Sequence, residues 1–539
     1  MNLVKPDSVT TTGSIARSTT GTYIDSAGVM QTAAIDAVRV NYDPATKEFL
    51  GILIENASTN LLTYSQNFTG TDWSVNFATV STGSFTAPDA SSTAKALTWN
   101  TSTIPIGPYL NKNLTGLTIG EVYTQSIYVK YLGQRYINLA TGASSSTGIG
   151  FDLISGIVTQ NTIGVTQAVS SQVQNAGNGW WRVSYQYTAS DTTGVFLVAA
   201  NSGTSSLIIG NGTTGVYIWG AQLETLDVPS SYILTTSASV TRAADIITGS
   251  GLVYTNLTES NPEWSSATTY ALGAKVVYGV YGTYQSLQSG NLNHTPPITS
   301  PFTDAYWVRT GPTNKMAMFD DQISSVSSGT TDIIFAVVAS AIDSVALLNI
   351  TASKTNIAVT DKDSKALVYH NSQQLSGGES LDWYSYFFYD SDTQKTSSIY
   401  LDIPTASNSL ITIKVSGTGT VSVGSYINGQ IKYLGDTQYG VSAGIIDYSR
   451  KDTDEFGNTT FTKRNFSKRM NASVSLTNSN LNRVQRILYG LRATPVLWIA
   501  STDAQFEEPL IVYGFYRDFS TEISYPTHSI CNLQVEGLI

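Results

Sequence analysis

The chain has 539 residues and a formal charge of −10, from 29 Lys and Arg against 39 Asp and Glu. At roughly 150 residues per domain that length holds three or four domains, and 41% apolar residues are enough to build their cores. A nucleic-acid-binding surface along the whole chain is excluded, because neutralising phosphates needs an excess of Lys and Arg. The lone Cys531 excludes intrachain disulfides and thiolate zinc clusters, and three scattered histidines leave little for a histidine-based metal site.

Residues 1–56 read as an irregular N-terminal region that is Thr-rich at first. Its opening residues carry no apolar h-region, and no run in the chain approaches 18 apolar residues, so no signal peptide and no membrane insertion are expected. Residues 57–246 make a unit of sandwich size. Its segments Tyr123–Val129 and Trp181–Tyr187 alternate apolar and polar positions and end on turn residues, the period-two signal of antiparallel sheets. A Gly249-Ser250-Gly251 linker precedes a small Trp- and Tyr-rich module at 261–312. Residues 313–440 read as a second β-sandwich, with Thr331–Val338 as a representative strand. Residues 441–539 read as an α+β assembly domain. It contains the one convincing helix, about 478–491, with Leu481, Val484, Ile487, Leu488 and Leu491 on one face. The expected fold class is therefore mainly β and multidomain, with sandwiches, one small β module and a C-terminal α+β domain.

Two stretches resemble known families. The series Ser18–Asp25, Gly51–Glu55, Thr59–Ser65, Asn178-Gly179-Trp180-Trp181-Arg182-Val183, Tyr217–Glu224, Ser231–Ile233 and Val240–Asp245 resembles carbohydrate-binding-type jelly-roll modules of tailed-bacteriophage tail fibres and tail-tip proteins. The series Trp264–Val277, Gly282–Leu287, Asn293–Pro297 and Tyr306–Val308 is similar to the small chitin-binding-type β modules of chitinases. It departs from them after Tyr284, where Leu287-Gln288-Ser289 replaces an exposed tryptophan. Asp447–Lys451, Phe466–Arg469 and Val512–Phe519 are similar to C-terminal regions of siphophage tail-tip proteins.

The resemblance implies a structural virion protein at the distal end of a phage tail, in the tail tip, baseplate or tail fibre. Its outward β modules would bind host-surface glycan or receptor. Its expected partners are other tail or baseplate proteins and further copies of itself, by analogy a trimer. Candidate ligand-binding residues are Trp264, Tyr270, Tyr284 and Trp307, carried over from the small module, and Trp180. Sugar platforms stack aromatic faces on C–H faces while amides and carboxylates bond the hydroxyls. The same aromatics have a plainer reading as core, as have Trp73, Trp181 and Trp219, because aromatic side chains bury most of their area. Lys463, Arg464, Lys468 and Arg469 stand out in an acidic chain as a candidate contact with an acidic partner.

Catalytic signals are sparse. No histidine follows a nucleophile motif, and neither a Walker loop nor a dinucleotide fingerprint is present. Asp361-x-Asp363, Asp390-x-Asp392 and Asp452-x-Asp454 offer hard oxygens but lack the full calcium-loop series. No enzyme, metal or cofactor is expected. Two alternatives stay open: a scaffold of the tail or baseplate without glycan affinity, and a capsule-depolymerising tailspike using paired carboxylates.

Overall fold

The structure is a computed structural model that describes all residues except 10–12, 71, 142–147, 164–167, 204, 206, 376–393, 454, 504–507, 524 and 539. It is mainly β and divides into two units, one of residues 15–247 and one of residues 1–14 with 248–539. Among the described residues no helix is long and apolar enough to cross a membrane.

Residues 15–247 build a jelly-roll-type sandwich of two six-stranded sheets whose neighbouring strands pair antiparallel. In the first sheet, Val122–Leu132 lies between Trp180–Thr188 and Gly215–Glu224. In the second, Thr193–Asn201 lies between Tyr136–Ala140 and Tyr109–Thr115. Side chains alternate across a strand. Ile127, Val129, Val183 and Ile218 therefore enter the core between the sheets, with Trp73, Trp99, Phe151 and Phe196. Their neighbours Tyr128, Trp180 and Trp219 point to the other face of the first sheet. That face is also buried, in a second cluster with Met30, Ala87 and Tyr232.

The cover over the second cluster comes from residues expected to be irregular. Residues 15–56 fold into two hairpins, Gly21–Ile24 with Met30–Ala33 and Val40–Tyr42 with Phe49–Ile52. They belong to the same unit as the sandwich they cover. Residues 1–14 belong to the other unit, so the stretch 1–56 is divided between the two.

In that other unit, the strand Asn2–Pro6 pairs with Val421–Tyr433 on one side and Val496–Ile499 on the other. It thereby joins residues of the 313–440 and 441–539 segments into a single 11-stranded sheet. Part of this sheet packs on a five-stranded sheet containing Ile333–Ala339, Lys354–Asp361 and Ser409–Ser416, around Phe335, Leu347, Ile357, Ile411 and Val423. The C-terminal part packs on the expected helix, which runs Leu481–Gly490. It buries Val484 and Leu488 against Trp498, Met470 and Leu533.

The small module holds a three-stranded sheet, Lys275–Tyr278, Gly282–Ser286 and Trp307–Gly311, and a short pair, Thr269–Tyr270 with Asn291–Leu292. A module of about 50 residues has little apolar material, and this one makes its core from aromatics: Tyr270, Tyr284 and Trp307 around Val276.

Candidate functional site

Most of the aromatic candidates are core residues. Tyr284 and Trp307 are fully buried, and Tyr270 and Trp180 nearly so. Their polar atoms are also committed. The Trp307 indole N–H donates to the His294 carbonyl at 2.6 Å, and the Tyr284 hydroxyl donates to the Pro297 carbonyl at 2.6 Å. The Ser265 N–H donates to the Tyr270 hydroxyl at 2.7 Å. Trp264 is half-buried, edge-on to Tyr278 with ring centroids 5.5 Å apart. A ring with no accessible face cannot stack on a sugar, so Tyr270, Tyr284, Trp307 and Trp180 hold their folds together and do not form a platform. For Trp180 the plainer reading prevails because Trp180 and Trp181 point to opposite faces of a sheet that is covered on both.

Of the basic candidates, Lys463, Arg464 and Arg469 are exposed, whereas Lys468 is half-buried. The Lys468 ammonium donates to the Glu508 carbonyl at 3.0 Å, and burial lowers its pKa against the opposing pull of the Glu508 carboxylate. Asp361 caps a turn, its Oδ1 accepting the N–H groups of Asp363 and Ser364. Asp390 and Asp392 lie outside the described residues, as does Asp454. Among the described residues no group of three or more His, Cys, Asp or Glu could hold a metal ion.

The unit 15–247 contains a cleft of about 560 Å³ that the sequence did not single out. Its floor is the outer face of the first sheet, at Tyr128 and Arg182. Its walls are the covering hairpins, at Tyr23, Asn41 and Asp43, and the segment 229–232. The exposed Asn175 stands at the rim. Arg182 is held flat on the floor: one terminal nitrogen donates to the Ser230 carbonyl at 2.7 Å and the other to the Ser126 hydroxyl at 3.1 Å. Its guanidinium carbon sits 5.2 Å from the Tyr128 ring centre. Burial raises the Tyr128 pKa, so the phenol is neutral across the physiological range.

An ionic network fixes these walls. Arg39 lies between two carboxylates, its nitrogens 2.6 Å from Glu55 and 2.5 Å from Asp245. Arg17 reaches the other Asp245 oxygen at 3.0 Å, and Arg242 approaches Glu55 at 3.5 Å. The three guanidinium groups and Asp245 are almost wholly buried. The Ser231 backbone N–H donates to Glu55 at 2.7 Å, and so does its hydroxyl. The adjacent Ser230 N–H donates to the buried Glu224 at 3.1 Å. Burial pushes the Glu55 pKa up, but Arg39, Arg242 and Ser231 together outweigh it and leave the carboxyl below its ordinary value. Two carboxylates thus clamp the wall segment to the sheet.

The turn at Pro44 is seated against glycines. Gly177 has φ +74°, and a Cβ there would stand 2.7 Å from the Pro44 carbonyl oxygen. Gly28, at φ +81°, meets the same oxygen, 2.6 Å from where its Cβ would lie. Only glycine fits both the left-handed backbone and the close approach.

The carboxylates at the cleft are occupied with structure. Both Glu55 oxygens are bonded within the network, and Asp43 Oδ1 accepts the N–H groups of Ala45 and Thr46 at 2.8 and 2.7 Å. What the walls offer a ligand is half-buried tyrosine, side-chain amide and a neutral phenol. That set suits an uncharged, polyhydroxylated molecule. The network was missed in the sequence because its members are far apart, although Glu55, Arg182, Arg242 and Asp245 all stand inside the quoted motif series.

No family model matches the chain, and no curated protein matches it. Solved structures give weak likenesses. One is the tandem CBM22-1-CBM22-2 domain of Paenibacillus barcinonensis Xyn10C, at 10% identity and TM-score 0.20, over 70% of this chain and 99% of that one. Another is a GH78 family rhamnosidase of Bacillus sp. GL1, at 9% identity and TM-score 0.19, over 83% of this chain and 36% of that one. A third is a fucolectin from striped bass (Morone saxatilis) serum, at 9% identity and TM-score 0.14, over 69% of this chain and 95% of that one. At such scores they carry no argument about this chain, whose sandwich architecture rests on its own strand pairing.

Proposed function

We propose that this chain is a non-catalytic glycan-binding protein of a phage tail, and that its binding site is the cleft of the unit 15–247. The observation that supports the glycan reading is the cleft itself: about 560 Å³, with tyrosines and amides on rigid walls and its carboxylates already bonded. Pre-organised walls reduce the ordering cost of binding. One such site binds weakly, and several copies on one particle would raise the effective concentration. The tail assignment rests on the motif resemblance.

The test is a glycan array with the full-length chain beside Asn175→Trp, which fills the cleft from an exposed rim position and gives up the bond that the Asn175 side chain accepts from the Gly177 N–H. Binding that falls at least tenfold in the variant, with unchanged melting, supports the site. Retained binding in the variant, or no glycan bound by either protein, overturns it. Reducing sugar released on long incubation with host polysaccharide would favour the depolymerase reading. Antibody labelling of purified particles away from the tail would overturn the tail assignment.

A further inference from the structure

The C-terminal part of the 11-stranded sheet has two unlike faces. Met470, Ala472, Val474, Leu533 and Val535 pack on the helix side, so the residues alternating with them point the other way. There Asn471 stands beside Gln534, and Ser473 beside Asn532. On the next strand Asp518 lies opposite Gln534, and Ser520 opposite Asn532. These six side chains line a recess of about 180 Å³, and all but the half-buried Ser473 are exposed.

Two irregularities shape the recess. The register slips between Tyr516 and Asp518, which makes Arg517 an extra residue. In a regular strand Asp518 would follow Tyr516, whose hydroxyl donates to the Leu488 carbonyl of the helix at 2.9 Å. The slip turns the Asp518 carboxylate to the open face instead. At the opposite edge the Gln438 N–H donates to the Ser473 carbonyl at 2.8 Å, while Ser442 pairs with Asn471. Residues 439–441 therefore stand opposite Ala472 alone. Val441 packs on the helix-side core, and Gly440 lines the recess at φ +98°, a backbone that favours glycine. Their neighbour Tyr439 is wholly exposed, although tyrosine usually buries much of its ring.

Much of the hydrogen-bonding capacity here is unused. The Ser473 hydroxyl donates to the Asn532 side-chain oxygen at 2.6 Å, and the Asn471 amide donates to the Ser442 hydroxyl at 3.2 Å. Among the described residues the Asn532 amide nitrogen, the Gln534 amide, the Asp518 carboxylate and the Ser520 hydroxyl have no such partner. Arg469 and Arg517 beside the recess are offset by Asp518 and Glu536, with Glu522 and Asp436 just beyond. No excess of positive charge draws an anion, and among the described residues no group of three or more acids could hold a metal ion.

We infer that this recess is a second ligand site, which takes one ring of a neutral saccharide on its amide row with Tyr439 closing over the ring. Amides both donate and accept, and a carboxylate accepts, which suits neighbouring hydroxyls. The tyrosine supplies the apolar face for the sugar C–H groups. The site shares no residue with the cleft of the unit 15–247 and does not rest on it. At about 180 Å³ against 560 Å³ it holds less of a glycan, so its binding is expected to be weaker and to be lost from a washed array.

The experiment is saturation-transfer NMR on the full chain carrying Asn175→Trp. The probes are the methyl glycosides of glucose, galactose, mannose and N-acetylglucosamine, with N-acetylneuraminic acid as a charged probe. At least one neutral glycoside is expected to give a signal. That signal should fall at least fivefold on adding Tyr439→Ser, and equally on adding the pair Asn532→Ala/Gln534→Ala. All three positions are exposed, so circular dichroism should not change. No signal from any neutral glycoside, a signal from the charged probe alone, or a fall of less than fivefold in either variant would overturn the proposal. The cleft fails separately, through array binding that Asn175→Trp leaves unchanged.

Discussion

Replacing Arg39 by Met should unfold the unit 15–247 well before the rest of the chain. The guanidinium bonds Glu55 at 2.6 Å and Asp245 at 2.5 Å, and also the Ser231 hydroxyl at 3.0 Å and the Thr22 carbonyl at 2.9 Å. Met matches much of its length but meets none of these acceptors. Asp245 would keep Arg17 and the Glu55 backbone N–H, and Glu55 the more distant Arg242 and Ser231. Removing one partner of a buried pair costs about 3–5 kcal/mol, because the charge left behind remains desolvated. For a unit of this size each kcal/mol lowers the melting point by about 2–4 °C, so a drop of roughly 6–20 °C is expected. Scanning calorimetry would read it as movement of one transition while the other stays in place. Asp245→Asn should cost a similar amount. The double variant should cost less than the sum, since it removes charges of both signs. A drop below about 3 °C for Arg39→Met, or additive losses, would refute the view that these ions act as one network.

The network also sets an acid limit. Glu55 has a lower pKa folded than unfolded, so its contribution is complete above the unfolded value of about 4.3 and is lost as pH falls through the folded one. Melting between pH 5 and 3 should therefore fall more steeply in the wild type than in Glu55→Gln. Gly177→Ala should cost about 1–3 kcal/mol through its left-handed backbone and the Pro44 contact, and should weaken glycan binding by displacing a wall of the cleft. Trp307→Ala should unfold the small module at a cost of about 3–5 kcal/mol. Limited proteolysis between 261 and 312 would detect it, with glycan binding by the unit 15–247 unchanged.

The strand-rich fold and the helix at 481–490 were legible because their periods are local. Val484 and Leu488 lie one turn apart, and Ile127 and Val129 lie two residues apart. The strand Asn2–Pro6 was not legible. Lys5 and Pro6 interrupt its pattern, and its partners are more than 400 residues away. The cover formed by residues 15–56 was hidden for a related reason: its hairpins are short, and their apolar residues have meaning only against Tyr128, Trp180 and Trp219.

The resemblance to chitin-binding-type modules points to the small module as the sugar site, but in so small a fold the same aromatic residues are needed as core. The larger sandwich has aromatics to spare. It buries Phe151 and Phe196 between its sheets and a second set beneath the hairpins, and it still presents Tyr23 at a cleft. Most of its buried charges lie at the same place. Arg39 and Asp245 hold the covering segments to the sheet, Glu55 and Glu224 fix the wall at 230–231, and Arg182 supports the floor. The motif series that suggested a binding module thus contains much of the clamp that shapes the cleft, and Tyr23, half-buried on the wall of that cleft, stands in the same series.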